Sequence, residues 1–166
     1  MTVEELFRRH AADVLAYALR RTPPAGADDV VSEVFLVAAR KLGDVPEDEP
    51  LLWLYAVARR ALANQRRSER RRETLHGALA VLRRDVPAAP SAVGSTLLHA
   101  LAALNPGDRE VLMLSAWEGL SAREAAVVLG CSEAAVHQRL SRARSRLGAQ
   151  LDRQTDPHPR PVEVSR

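Results

Sequence analysis

The sequence predicts an all-α protein made of two small helical domains joined by a flexible linker. Three observations carry this expectation. Aromatic residues are only 4% of a chain that is 46% apolar, so the core must be assembled from Leu, Val and Ala. Leu and Ala favour helices, whereas strands prefer aromatic and β-branched residues. Apolar residues also recur at helical spacing. That pattern lapses around Pro87 and Pro90, where Ala and Ser surround the prolines as in a linker. A chain of 166 residues holds two units of roughly 50–70 residues, near the lower limit for independent folding.

The first helix is predicted from Val3, Leu6, Phe7, Val14, Tyr17 and Ala18, and Pro23-Pro24 stops it. A second is expected from about Asp28 to Leu42. Asp28 and Asp29 complement the helix dipole at its start, Val30, Val34, Phe35 and Ala38 form a buried stripe that Leu42 extends, and Gly43 follows its end. After an acidic loop, Val45 to Pro50, a third helix is predicted from about Leu51 to Arg72. Its first half is apolar (Leu51, Leu54, Tyr55, Val57, Ala58, Ala61, Leu62) and its second half is rich in arginine. Such a helix must project into solvent or lie against a polyanion.

Residues 74–94 read as the linker, with a short helical pattern at Leu75 to Leu82. A second cluster of helices is expected over 95–150. Asn105-Pro106-Gly107-Asp108 is a helix start, with Asn as cap, Pro at the first helical position and an acid in the first turn. Val111, Leu112, Leu114 and Trp117 follow, and Gly119 ends the helix. Ser121 and Glu124 have capping-box spacing. The helix from Ser121 to Leu129 is closed by Gly130, and Ser132 caps a last helix running to about Leu147. Residues 151–166, with Pro157, Pro159 and Pro161, read as a disordered tail.

Net charge is only +3, but it is unevenly placed. Asp28 to Glu49 holds seven acids against Arg40 and Lys41, whereas Arg59 to Arg72 holds seven arginines against Glu69. Ser121 to Leu147 adds five arginines against Glu124 and Glu133. Two basic surfaces and one acidic surface imply at least two kinds of partner. The single cysteine, Cys131, fits a small core residue in a reducing compartment and excludes an internal disulfide framework. Nothing resembles a leader peptide, and the apolar run Leu51 to Ala58 is too short to span a bilayer, so the expectation is a cytoplasmic protein without membrane insertion. The five histidines lack ligand spacing, so no metal or other cofactor is expected. No phosphate loop, nucleophile motif or paired carboxylates point to an enzyme.

Ser121 to Leu147 has the spacing of a helix-turn-helix. Ala125 and Ala126 are small where two helices approach, Gly130 supplies positive φ, and Val136, Leu140, Ala143 and Leu147 face inward at steps of four, three and four. His137, Gln138, Arg139, Ser141, Arg142, Ser145 and Arg146 are left outside or on the flanks, the arrangement of a helix that enters the major groove.

The stretch Leu120 to Leu147 resembles the C-terminal promoter-reading domain of extracytoplasmic-function (ECF) sigma factors; alone, it also resembles response-regulator output domains. Asp29-Val-Val-Ser-Glu-Val-Phe35, Trp53-Leu-Tyr-Ala-Val-Ala-Arg59 and Asn64-Gln-Arg-Arg67 resemble the N-terminal sigma domain, in the right order and at the right separation.

The resemblance implies that residues 1–73 dock on core RNA polymerase and bind the minus-ten promoter element, and that 95–150 bind the minus-35 element. Asp29, Glu33 and Phe35 would meet the clamp helices of the polymerase largest subunit. Arg59, Arg60, Asn64, Arg66 and Arg67 would meet the minus-ten DNA, while Arg123, His137, Gln138, Arg139, Ser141, Arg142 and Arg146 would meet the upstream DNA. Arg60 stands where many members carry asparagine, which makes Asn64 the preferred polar reader. Trp53 and Tyr55 fall in the segment associated with strand separation, where unstacked bases need an aromatic or cationic platform. The implied partners are core polymerase and promoter DNA, with an anti-sigma protein as a further candidate. Two elements roughly 20–25 base pairs apart span about 70–85 Å, which a linker of about 20 residues reaches only with the domains drawn apart. The competing expectations are a conventional helix-turn-helix regulator and a helical adaptor that does not bind DNA.

Overall fold

The computed structural model describes residues 1–75 and 92–155. Seven α-helices and one 3-10 turn account for the regular structure among these residues. The expected helix at Leu75 to Leu82, most of the linker and residues 156–166 lie outside the described residues. The helices sort into two compact units, one holding α1, α2, α3 and α6, the other α4, α5 and α7.

α1 spans Val3–Leu19 and begins with a feature the periodicity did not reveal. Thr2 and Glu5 form a reciprocal capping box: the Glu5 N–H donates to Thr2 Oγ1 at 3.2 Å and the Thr2 N–H to Glu5 Oε2 at 2.7 Å. The Thr2 N–H is the main reason the Glu5 carboxyl is held below its ordinary range. α2 spans Pro24–Arg40, starting a full turn earlier than expected. Proline fits the first helical position, where its missing N–H would have no helical partner, so Pro24 starts this helix while Pro23 precedes it. Asp28 and Asp29 therefore lie beyond the first turn, where the helix dipole has faded. Gly43 does not supply a left-handed cap either; it sits inside the 3-10 turn Leu42–Asp44.

α3 spans Pro50–Leu75. α1, α2 and α3 pack pairwise around Leu6, Val14, Tyr17, Ala18, Val30, Val34, Ala38, Leu54, Ala58 and Ala61, each at most 2% exposed. The expected stripes of α2 and α3 are thus the core. Burying each large aliphatic side chain contributes roughly 1.5–3 kcal/mol, so this three-helix contact is sufficient to hold the short α1 and α2 in place. Phe7, part of the apolar pattern of α1, is half exposed.

In the second unit α4 (Ala92–Ala102) and α5 (Pro106–Ala116) both pack on α7 (Glu133–Thr155). Val111, Leu114, Val136 and Ala143 are fully buried at this contact, with Leu104, Leu112 and Leu140 nearly so. α7 continues two turns past the expected end. Leu151 follows Leu147 at a helical step of four and both are half-buried, so the apolar stripe runs into the start of the segment that looked like tail. Arg109 closes the end of α4: its Nε donates to the Leu101 carbonyl at 2.9 Å and its Nη2 to those of Ala102 and Leu104 at 2.7 and 3.1 Å. One guanidinium thus gathers three carbonyls around the C-terminus of α4, where acceptors without a helical partner need a donor.

α6 spans Ala122–Leu129 and buries Ala125, Ala126 and Val128. Gly130 has φ 65°, as the turn requires. The Gly130 N–H donates to the Val127 carbonyl and the Cys131 N–H to that of Ala126, a complete Schellman closure. Ser132 then caps α7, its Oγ accepting from the Ala135 N–H at 3.2 Å.

Candidate nucleic-acid interface

Two basic helix faces are candidates for binding nucleic acid, one in each unit. On α7 the inward positions Val136, Leu140 and Ala143 leave His137, Gln138, Arg139, Ser141, Arg142, Arg144 and Ser145 exposed. His137, Ser141 and Arg144 lie along one helical row, and Gln138, Arg142 and Ser145 along the next. Glu133 stands 3.6 Å from His137 one turn away, and the Arg142 Nε–H donates to the Gln138 carbonyl at 3.3 Å. The face thus offers amide and hydroxyl groups suited to base edges, flanked by guanidinium groups suited to phosphates. Arg123, on α6, is also exposed.

Arg146 is exposed, as expected, but it is also committed to a partner within the fold. Its guanidinium donates through Nη1 to Oδ2 of Asp108, on α5. Asp108 is buried, at 6% exposure, and a buried carboxylate requires a partner of opposite charge. Spacing along α7 could not show this, because the partner is 38 residues away.

On α3, Arg59, Arg60, Asn64, Arg66 and Arg67 are all exposed. Arg60, Asn64, Arg67 and Arg71 form one row, and Arg59, Arg66 and Arg70 the neighbouring one. Two residues here also hold the fold. The Gln65 Nε2–H donates to the Gly26 carbonyl and the Arg66 Nη2–H to that of Arg21, both at 3.2 Å, which ties α3 to the α1–α2 turn. Arg67 Nη2 donates to Asn64 Oδ1 at 2.6 Å, so the side chain expected to read a base is held at its oxygen by a neighbour.

The aromatic residues separate. Tyr55 is a core residue, 5% exposed and stacked on Tyr17, and so does not form an open platform for bases; Trp53 is half-buried. The acidic face of α2 is partly as expected. Asp29 and Glu33 are exposed, but Phe35 is 7% exposed and meets Phe7 edge-on with ring centroids 4.8 Å apart. The apolar group presented beside the acids is Leu36, 57% exposed and in line with Asp29, Glu33 and Arg40. Its signal was present in the sequence: Leu36 lies three and seven residues beyond Glu33 and Asp29, on the polar side of the helix. Among the described residues, no helix is long and apolar enough to cross a membrane.

Comparison with known proteins finds two family matches along the chain. The family described as Sigma-70 region 2 matches residues 6–72, and Sigma-70, region 4 matches residues 95–147. The RNA polymerase sigma factor CnrH of Cupriavidus metallidurans is 35% identical over 164 residues, covering 89% of this chain and 85% of that protein. The ECF RNA polymerase sigma factor SigL of Mycobacterium tuberculosis is 34% identical over 144 residues, covering 81% and 80%. Among solved structures, the sigma factor RpoE in complex with the anti-sigma factor NepR from Bartonella quintana aligns over 90% of this chain and 96% of that one, with a TM-score of 0.72 at 25% identity. CnrH in complex with the cytosolic domain of CnrY aligns over 90% and 87%, with a TM-score of 0.62 at 34% identity.

Proposed function

The chain belongs to the ECF sigma factors of RNA polymerase, and from that premise we propose how its surfaces divide the work of promoter recognition. Sigma factors direct core polymerase to promoters and start transcription. In this reading residues 1–73 dock on core polymerase through the α2 face of Asp29, Glu33 and Leu36, and bind the minus-ten element through the arginine rows of α3. Residues 95–150 bind the minus-35 element through α7. Arg59, Arg60 and Arg67 neutralise phosphates, and Asn64 and Gln138 supply amides for base edges. No catalytic step is assigned to the chain itself, which acts in the cytoplasm with polymerase.

The observation that carries this reading is the charge division within one bundle. α2 exposes acids around an apolar side chain, while α3 beside it exposes seven arginines against one acid between Arg59 and Arg72. A DNA-binding regulator has no use for the first surface, and an adaptor has none for the second. The likeness to a sigma factor solved with its anti-sigma factor supports a further partner of that class for this chain. The test is polymerase dependence: the chain retains core polymerase on a column and shifts promoter DNA only in its presence. Tight promoter binding by the chain alone, without retention of core polymerase, would refute the division.

A further inference from the structure

Asp108 is the buried charged side chain among the described residues, and it sits where α5 meets α7. Asn105, the cap of α5, accepts the Asp108 N–H at 2.9 Å and returns an amide hydrogen to Asp108 Oδ2 at 2.6 Å. The same Oδ2 accepts from Arg146 of α7. The next residue, Arg109, grips the end of α4.

The buried side chains where α7 meets α5 are otherwise aliphatic: Val136, Leu140 and Ala143 on α7 and the Leu/Val/Met face of α5. Aliphatic surfaces give affinity without direction, so such a seam tolerates small slides and rotations of α7. A hydrogen-bonded ion pair does not: its strength falls steeply with angle and distance. Buried polar pairs are best attested as setters of register. Arg146 lies one turn, about 6 Å along the axis, from Arg142 in the exposed rows. A shift of about 1 Å in α7 would carry Gln138, Ser141 and Arg142 together out of hydrogen-bond range of their targets.

We propose that Asp108 and Arg146 are positioning residues for promoter recognition: their ion pair sets the register of α7 on α5 and thereby the sequence that α7 reads. This rests on the reading of α7 as the helix that binds the upstream element. It removes Arg146 from the set of direct DNA contacts, and it gives Asp108, which never meets DNA, a part in specificity.

The test uses holoenzyme reconstituted with core polymerase. The probes are a promoter fragment selected from a library by the unaltered holoenzyme, the same fragment with single-base changes upstream, and unrelated DNA. Asp108→Asn and Arg146→Ala are each expected to cut discrimination between selected and altered fragments by about tenfold. Binding to unrelated DNA should stay within about twofold. The double variant should be no worse than either single one, as expected for two halves of one contact. Arg146→Lys should recover part of the loss, and helicity should be unchanged at the assay temperature.

A uniform loss on all DNA in Arg146→Ala, with Asp108→Asn unchanged or tighter, would overturn the proposal and make Arg146 a phosphate contact. A loss that merely tracks the folded fraction would overturn it too. Arg139→Ala/Arg142→Ala separates the premise from the inference. If that variant binds normally, the reading of α7 has failed; if it fails to bind while Asp108→Asn discriminates normally, the inference alone has failed.

Discussion

Tyr17 of α1 and Tyr55 of α3 stack with ring centroids 4.9 Å apart and planes 24° from parallel, and the Arg21 guanidinium lies 3.5 Å from the centre of the Tyr17 ring. Arg21 is also the residue whose carbonyl accepts from Arg66. One chain of contacts therefore runs from the core of α3, through α1, back to the arginine rows further along α3. The stack gives the first half of α3 a fixed seat, and the hydrogen bond fixes where its basic half leaves the bundle.

Tyr55→Ala should lower the unfolding free energy by about 3–5 kcal/mol, the usual cost of deleting a buried aromatic ring. Tyr55→Phe keeps the ring and should change far less. Chemical denaturation of the two variants checks this. Promoter opening by a holoenzyme carrying Tyr55→Phe should be normal, since Tyr55 packs and does not receive bases.

Two glycines should respond to alanine for different reasons. Gly130 has φ 65° with open space around it, so Gly130→Ala meets only backbone strain, roughly 1–2 kcal/mol. At Gly26 an added Cβ would sit 2.7 Å from Thr22 Oγ1 and 3.2 Å from Gln65 Nε2. Gly26→Ala is therefore expected to destabilise in the Thr22 background and to recover substantially when combined with Thr22→Ala. Thermal melts of the single and double variants measure the coupling.

Arg139→Ala and Arg142→Ala should each weaken holoenzyme binding to promoter DNA. If each guanidinium neutralises one phosphate, the slope of log K against log salt should become shallower by about 0.9 per substitution. Titration at several salt concentrations distinguishes this from base reading, which would relax sequence preference at one position instead.

Leu36→Ala should weaken capture of core polymerase without altering the melting temperature. The side chain is 57% exposed in the free chain, so truncating it leaves the folded core intact. Phe35→Ala should do the reverse and act first through stability, because Phe35 packs under Phe7. Core-binding titrations run beside melting curves check both.

The sequence revealed the helices and their buried stripes wherever period and punctuation agreed. Val30, Val34 and Ala38 recur at helical steps, Asn105-Pro106 marks a start, and Gly130 marks a turn; all behave as expected. Boundaries were less legible because a proline can begin a helix as well as stop one, as at Pro24, or because a stripe persists through unpromising residues, as at Gly148 before Leu151. The candidate faces were visible as charge. What spacing did not reveal was tertiary partnership: Arg146 turns to Asp108, Arg66 to Arg21 and Phe35 to Phe7. Each of these partners lies on another helix or in a turn between helices, so no periodicity along α7, α3 or α2 encodes it.

Run-off transcription with core polymerase on a promoter library tests the central claim most directly. The chain should convert core polymerase into an enzyme that starts at a defined set of promoters. Output should fall when either the α2 face (Asp29 and Glu33 to Lys) or the α7 face (Arg139 and Arg142 to Ala) is altered. Initiation unchanged from that of core polymerase alone, or initiation indifferent to both sets of substitutions, would contradict the account.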